Sequence, residues 1–415
     1  MRNIYPKNIN IHYPSNHTLF IYGNDYRKCV KGVARLNLPT VQFTKEQELF
    51  REEVRAFLQE ELQKGTFQTK CDSWLSGSDP AFSKIIGEQG WIGMTWPKEY
   101  GGAERSSIDR YILTEEFLAI GAPVAAHWFA DRQTGPLLLR FGTDYQKNFF
   151  LPKIVQGECF FAIGLSEPNS GSDLASVKTK AEKVEGGWII NGAKTWTSNA
   201  QDAHYMVTLV RTEPVTDKKH QGLSQLIINL KSEGVTITPI HYLTGKHHFN
   251  DVFFDNVFVP DEMVVGTLGN GWAQGLAELA YERSGPERIL STFPLLNEAI
   301  EELKRNQDLE GLAEVSKLVA ELWSLRNLSI GVAKVLEEGG EVSVPAALVK
   351  SVGTKFEQKI PEVVRLLLDV FPQLEADCAL DRYLAESTLH SPGFTIRGGT
   401  SEVLYGIIAK GVLAG

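Results

Sequence analysis

Apolar residues recur at helical spacing toward both ends of this chain and at strand spacing in its middle. Thr44 followed by Gln47 is a capping-box pattern. The helix it predicts carries a stripe at Phe50, Val54, Phe57, Leu58 and Leu62, spaced for one buried face, with Gly65 as its stop. Further helical signal runs from Phe82 to Gln89, Ser107 to Gly121 and Gly135 to Phe141, punctuated by Trp96-Pro97 and Gly101-Gly102. From Phe160 the period changes. Trp188-Ile-Ile190 runs into Asn191-Gly192, a pairing that predicts a hairpin turn. Short β-branched and aromatic runs follow at Tyr205 to Val210, Leu226 to Leu230, Val235 to Ile240 and Asp251 to Val259. After Gly269-Asn-Gly271 the helical period returns. Leu312, Val315, Val319, Leu322 and Leu325 form a stripe ended near Gly339-Gly340. Ser343 and Pro345 read as a new helix start, and Val363 to Phe371 and Ser401 to Val412 also read as helix.

The order predicts an α+β multidomain chain. Residues 1–40 form a poorly ordered or non-native extension, 41–159 an N-terminal helical domain, 160–268 a middle β domain, and 269–415 a C-terminal helical bundle. The extension is basic and rich in Asn and Tyr, without the apolar block of a signal peptide. A length of 415 residues suits two or three subdomains. The net charge of −9, with no long basic run, argues against nucleic acid as a partner. Cys29, Cys71, Cys159 and Cys378 are far apart, which argues against a disulfide framework or a zinc site and points to a reducing compartment. The expected location is the cytoplasm, with the mitochondrial matrix as the alternative. No apolar run reaches the roughly 18 residues that a membrane span needs.

Chemistry concentrates between Ala162 and Ala200. The run Gly164-Leu-Ser-Glu-Pro-Asn-Ser-Gly-Ser-Asp173 is dense in small and hydroxyl residues, so its backbone can lie against a flat ligand and donate amide N–H groups. Asn191-Gly-Ala-Lys-Thr-Trp196-Thr-Ser198 sets a large aromatic beside hydroxyls, a combination suited to an isoalloxazine ring. The bland alternatives are a barrel-core role for Trp196 and a turn cap for Ser166.

These motifs resemble those of the acyl-CoA dehydrogenase family. Trp96-Pro97 with Gly101-Gly102, Trp196-Thr-Ser198, Val257-Phe-Val-Pro260 and Gly399-Thr-Ser401 recur in the family's order, over about Phe43 to Gly415. The resemblance implies a helical domain, a β barrel and a four-helix-bundle-like domain. It implies an FAD flavoprotein that converts an acyl-CoA thioester to the trans-2-enoyl-CoA. A carboxylate would remove the α-proton, the flavin would take the β-hydride, and an electron-transfer flavoprotein would receive the electrons. By motif match Leu165, Ser166, Trp196 and Ser198 line the flavin, Thr400 and Glu402 contact FAD near the chain end, and Ser172 contacts CoA. Glu402 departs from the family's common Gln.

One departure concerns the base. The best-known members carry a glutamate where this chain has Gly398 within Arg397-Gly-Gly-Thr-Ser401. The chemistry needs only a carboxylate in reach of the α-carbon. A branch of the family places it on the first helix after the β domain, which here begins at Gly271, and counting along that helix reaches Glu282. Its rivals are Glu278 and Glu287, and its bland alternative is a solvated glutamate pairing with Arg283 or Arg288. Gly398 keeps a backbone amide, which in the family helps hold the thioester oxygen, a contribution of about 3 kcal/mol per donor. Arg283 and Gly398 are therefore the expected substrate-side neighbours of Glu282. Arg397 is expected either to favour a polar or acidic acyl group or to form an ion pair.

A second departure concerns the FAD tail. The family's Arg-x-x-Phe-Gly and Gln-x-x-Gly-Gly-x-Gly motifs, which hold the pyrophosphate and adenine across a subunit boundary, are not found, and Asp369-Val-Phe-Pro-Gln373 stands where the second belongs. Four readings follow: a homo-oligomeric dehydrogenase (dimer or tetramer), one subunit of a hetero-oligomeric dehydrogenase, a non-catalytic acyl-CoA-binding paralogue, and a flavin oxidase or oxygenase.

Overall fold

The structure is a computed structural model that describes residues 38–215, 217–275 and 283–414. The expected extension lies outside the described residues except for its last three, of which Leu38 packs against a small apolar cluster around Val332 and Val349.

The N-terminal helices are α1 (Lys45–Lys64), α2 (Ser73–Ser76), α3 (Pro80–Glu88), α4 (Ser107–Ile120), α5 (Ala125–Phe129), α6 (Gly135–Phe141) and α7 (Asp144–Val155). The α1 capping box forms as its sequence predicts, with Thr44 and Gln47 bonding reciprocally and Gly65 closing the helix in the left-handed region. Phe50, Val54 and Leu58 are buried, while Phe57 and Leu62 pack at the edge of the same core. A π-helical turn, Ala130–Thr134, joins α5 to α6, a deformation often found at functional sites.

Seven strands make a curled middle sheet: β1 (Phe161–Gly164), β2 (Lys180–Val184), β3 (Gly187–Ser198), β4 (Tyr205–Arg211), β5 (Leu223–Asn229), β6 (Val235–Ile240) and β7 (Phe249–Pro260). The order is β1-β4-β2-β3-β7-β6, with β5 paired to β4. Asn191-Gly192 is not a hairpin turn. It lies inside β3, and the β2–β3 turn is at Glu185-Gly186. Gly192 sits at a register shift against β7, with φ 148°, and a Cβ there would come within 2.6 Å of Thr179 Oγ1. The glycine serves a bulge and a close approach of side chain to backbone, which the dipeptide signal alone does not distinguish from a turn.

The C-terminal helices are α8 (Phe293–Arg305), α9 (Leu309–Glu337), α10 (Ser343–Leu367), α11 (Ala379–Phe394) and α12 (Ser401–Ala414). Val363 ends α10 rather than opening a helix of its own, and Phe371 stands 80 % exposed beyond it. One apolar core runs through the helices of both ends, and a second fills the inside of the sheet with Trp188, Ile190, Met206, Ile228 and Val257 among its members. No helix among the described residues is long and apolar enough to cross a membrane, and no cluster among them is arranged to hold a metal ion.

Candidate functional site

The Gly164–Asp173 run leaves β1 and lies against the end of β3. Lys194 Nζ donates to the Leu165 carbonyl at 3.1 Å, and Thr195 N–H donates to the Ser166 carbonyl at 2.9 Å. The expected flavin-lining residues Leu165, Ser166, Trp196 and Ser198 are thus drawn into one neighbourhood. Beneath them Glu167 accepts from Lys194 Nζ at 2.9 Å and from the backbone N–H groups of Lys178 and Thr179 at 2.6 and 2.8 Å. Burial would raise the Glu167 carboxyl, but Lys194 and these donors together hold it below its usual range. Burial pulls Lys194 down to about 8 against the attraction of Glu167.

Trp196 is not a core residue. Its side of β3 breaks register between Lys194 and Thr197, its φ is 56°, and it is 56 % exposed, meeting only the edge of Phe249 at 5.6 Å among its ring contacts. A bulky non-glycine residue in the left-handed region is an outlier with a conformational cost, and an indole held out toward solvent is an open stacking surface. Ser198 ends the strand opposite Phe249. Asn199 then turns the chain, donating from its backbone to the His248 carbonyl at 2.6 Å and from its side chain to the Leu75 carbonyl at 3.1 Å. Ser172 is exposed in the loop after Glu167. That loop is fastened from below by Arg211, whose guanidinium donates to the carbonyls of Ala175, Val177, Lys219 and Gln221 at 2.9–3.3 Å.

On the opposite side, Gly398 and Gly399 have φ 66° and 100°. Arg283 Nε donates to the Gly398 carbonyl at 3.3 Å, and Lys350 Nζ donates to the Gly399 carbonyl at 2.9 Å. A Cβ at Gly398 would stand 2.8 Å from the Arg288 guanidinium. The positive φ at position 398 therefore disfavours a side chain, and one there would press on the end of Arg288. Thr400 begins α12, its hydroxyl accepting from Val403 N–H at 3.4 Å, and Glu402 is exposed on the first turn. Glu402's own backbone N–H, together with the Thr400 hydroxyl, holds its carboxyl below the usual range.

A chain of buried groups from three parts of the fold bridges these two sides. Phe249 meets His248 and Tyr242, and the Tyr242 hydroxyl bonds His248 Nε2. Burial, reinforced by His390, Arg397 and His247, holds His248 well below the usual histidine range, so its ring is neutral. Tyr242 packs on His390, whose Nδ1 is 3.7 Å from Asp72 Oδ2. Asp72 receives Arg397 Nη1 on both oxygens at 2.7 Å, and Arg397 Nη2 donates to Ser291 Oγ at 2.9 Å. Arg397 thus forms the ion pair rather than presenting a free cation to an acyl group. Ser291 N–H donates to Glu357 at 2.7 Å, and burial pushes that carboxyl up to about 7 against the pull of Arg397. Sequence spacing gave no hint of this network.

Of the possible bases, Glu282 and Glu278 lie outside the described residues. Glu287 is 1 % exposed and bonded to Arg132 Nη2 at 3.3 Å. Arg288 is buried over the Trp74 ring.

The fold defines a three-part helix–sheet–helix protein. The family models for the acyl-CoA dehydrogenase N-terminal and middle domains match residues 44–158 and 162–257. Acyl-CoA dehydrogenase FadE26 of Mycobacterium tuberculosis is 33 % identical over 79 % of this chain and 86 % of its own length. IpdE1 of the same organism is 32 % identical over 80 % and 87 %. Among solved structures, the steroid acyl-CoA dehydrogenase Tcur3481-Tcur3483 is similar with a TM-score of 0.81, at 26 % identity over 90 % of this chain and 98 % of that one. The ChsE4-ChsE5 complex from Mycobacterium tuberculosis is similar with a TM-score of 0.78, at 28 % identity over 91 % and 99 %. The chain belongs to the acyl-CoA dehydrogenase family. It is an oxidoreductase, and its family is flavin-dependent.

The residues fit such a group. Trp196 offers an exposed indole beside a loop of small residues, and the buried Thr197 Oγ1 and Asn199 Oδ1 next to it have no hydrogen-bond partner among the described residues.

Proposed function

We propose that this chain converts an acyl-CoA to its trans-2-enoyl-CoA with Glu282 as the base. The observation that carries this reading is the backbone at Gly398, whose φ of 66° disfavours a side chain and which offers no carboxylate, so the base is sought at the family's helix position, Glu282. Glu282 takes the proton α to the thioester carbonyl. The Gly398 amide N–H, one residue's backbone away from the carbonyl that Arg283 holds, would donate to the thioester oxygen as negative charge develops there. Leu165, Ser166, Trp196 and Ser198 would hold the ring of FAD, Thr400 and Glu402 would contact its remainder, and Ser172 would meet CoA. FAD, when bound, supplies the two-electron acceptor. An electron-transfer flavoprotein is the proposed onward acceptor.

The test is anaerobic titration of the flavin-loaded protein with a series of acyl-CoA esters, followed by loss of yellow colour. Wild type bleaches. Glu282→Gln is slower by about 10²–10⁴-fold, the usual range for a lost general base. Equal bleaching by both proteins removes Glu282 from the role.

A second reading makes the chain one subunit of a hetero-oligomer. It is supported by the two-protein composition of both similar structures above. It is also supported by the missing adenine-site motifs and by Leu366, Phe371 and Ile396, which stand 75, 80 and 66 % exposed on the C-terminal part. A chain purified alone without colour, which turns yellow only when co-expressed with a second dehydrogenase-like chain, favours that reading over the homo-oligomer.

A further inference from the structure

Lys194 lies beneath the Gly164–Asp173 run with its side chain fully covered. A Cβ at Gly164 would stand 1.8 Å from Met206 Cε and 3.3 Å from Lys194 Cγ, so only bare backbone lets the run lie on the lysine stem. The ammonium at the end of that stem reaches two acceptors, Glu167 Oε1 at 2.9 Å and the Leu165 carbonyl at 3.1 Å. Glu167 balances the charge. The bond to Leu165 satisfies a second of the three ammonium donors, and its consequence lies on the far side of the peptide.

The Leu165 carbonyl and the Ser166 N–H belong to one peptide group. No peptide among the described residues is cis, so the two point in opposite directions. The carbonyl is turned inward to Lys194, and the N–H is therefore turned outward, at a residue that is only partly buried. No acceptor for this N–H is found among the described residues. The next peptide differs. Its carbonyl, that of Ser166, accepts from Thr195 N–H at 2.9 Å, and its N–H, that of Glu167, donates to the Ser170 carbonyl at 3.0 Å. Two consecutive peptides are thus fixed from within the protein, and the first keeps a donor for a ligand. A cation on a peptide carbonyl strengthens the N–H of the same peptide as a donor, because bonds in a chain polarise one another.

We propose that Lys194 is a positioning residue for the cofactor: through the Leu165–Ser166 peptide its ammonium strengthens the Ser166 N–H as a donor to the flavin and so favours the reduced ring over the oxidised one. The inference rests on the reading above in which Ser166 lines the flavin. A hydride taken up by the neutral ring brings one proton and two electrons, which leaves the ring with one more negative charge. A donor strengthened from behind therefore holds the reduced ring more tightly than the oxidised one. Burial pulls Lys194 down to about 8 against the attraction of Glu167, so it still carries its proton at neutral pH. A brace with no electrical role would hold both forms of the ring equally.

The experiment uses the flavin-loaded protein, refilled with excess FAD where a variant has lost it and co-expressed with a partner chain if retention demands one. The reduction potential is measured at neutral pH against a reference dye. At the potential that half-reduces wild type, Lys194→Met is expected to show a ratio of reduced to oxidised flavin lower by about tenfold, a shift of about 30 mV for a two-electron couple. Lys194→Arg, which keeps the charge, is expected to recover most of that ratio. Weaker FAD binding with an unchanged potential shows a structural brace only and overturns the proposal. Equal shifts in both variants tie the effect to shape and overturn it as well. Should the variants fail to fold, wild type alone decides. Glu167 faces Lys194, and Arg211 faces Glu167 in turn. The negative charge of the reduced ring raises the affinity of Lys194 for its proton. Reduction therefore takes up more protons above about pH 8 than below it, and the potential falls more steeply there. A slope that stays constant from about pH 7 to about pH 9 overturns the proposal. Failure of wild type to bind FAD, alone or with a partner chain, overturns the flavin reading itself.

Discussion

Two buried ion pairs flank the cleft, and the chain reaches them in opposite ways. Glu167 and Lys194 are 27 residues apart, lie within one module, and carry side chains 8 and 0 % exposed. Asp72 and Arg397 are 325 residues apart, join the N-terminal helices to the loop before α12, and carry side chains 3 and 12 % exposed. The first pair braces a recognisable motif from beneath. The second fixes Gly398 by tying its neighbour to a loop from the other end of the chain. The Leu165–Ser198 side is thus stabilised locally, and the Gly398 side by contacts between domains. A buried pair is weak evidence for net stability, because desolvation offsets much of the attraction. What each pair does is set the position of its loop.

Removing one partner separates the two. In Lys194→Met, Glu167 is left buried beside only backbone donors, and the Leu165 carbonyl loses its bond. A loss of about 3–5 kcal/mol is expected, read as a lower urea midpoint together with loss of flavin colour. Arg397→Met is expected to cost less, because burial and then Arg397, Lys70 and Lys246 hold His390 below the usual histidine range beside Asp72, and the substitution removes the Arg397 part of that effect. Equal losses from both substitutions remove the distinction between a local and a bridging pair.

Glu357 sharpens the contrast through pH. Burial raises its carboxyl from 4.5 to about 7, against the attraction of Arg397 and with Asp72 adding to the rise. A folded-state pKa above the unfolded value means that the folded chain holds an extra proton between the two. The associated stability is fully present below about pH 4.5 and is lost as pH rises through 7. At about 1.4 kcal/mol per unit the loss is about 3 kcal/mol at most. The wild-type urea midpoint is expected to fall between about pH 5 and about pH 7.5, and Glu357→Gln to flatten that fall. Lys194, held near 8, titrates above this window, so the cofactor side contributes little to the slope. An unchanged slope in the variant places its origin elsewhere.

The same contrast explains what could be read from the amino-acid order. Helix α1, the strands of the sheet and the gathering of Leu165, Ser166, Trp196 and Ser198 follow from short-range signals: a capping box, period-two runs and one contiguous motif. Asn191-Gly192 failed as a hairpin signal because the same dipeptide serves a bulge where Thr179 crowds the backbone. The substrate side was legible only as a missing side chain at Gly398. Asp72, Tyr242, His248, Ser291, Glu357 and His390 carry no common spacing, and their meeting is decided by how the domains pack.

Trp196 carries the smallest expected effect on stability and the most direct test of the cofactor side. At φ 56° a non-glycine residue costs about 1–2 kcal/mol, which glycine avoids. Against this, Trp196→Gly loses an edge contact with Phe249, a loss of about 1 kcal/mol, and the burial of less than half of the indole. These nearly cancel, so the urea midpoint of the flavin-free protein is expected to move little in either direction. Flavin retention, measured by equilibrium dialysis, is expected to weaken, because the strain at this position is then accounted for by what the indole covers. A variant that unfolds easily shows instead that Trp196 supports the sheet. One that keeps both its stability and its flavin leaves the exposed indole without a role in the cleft.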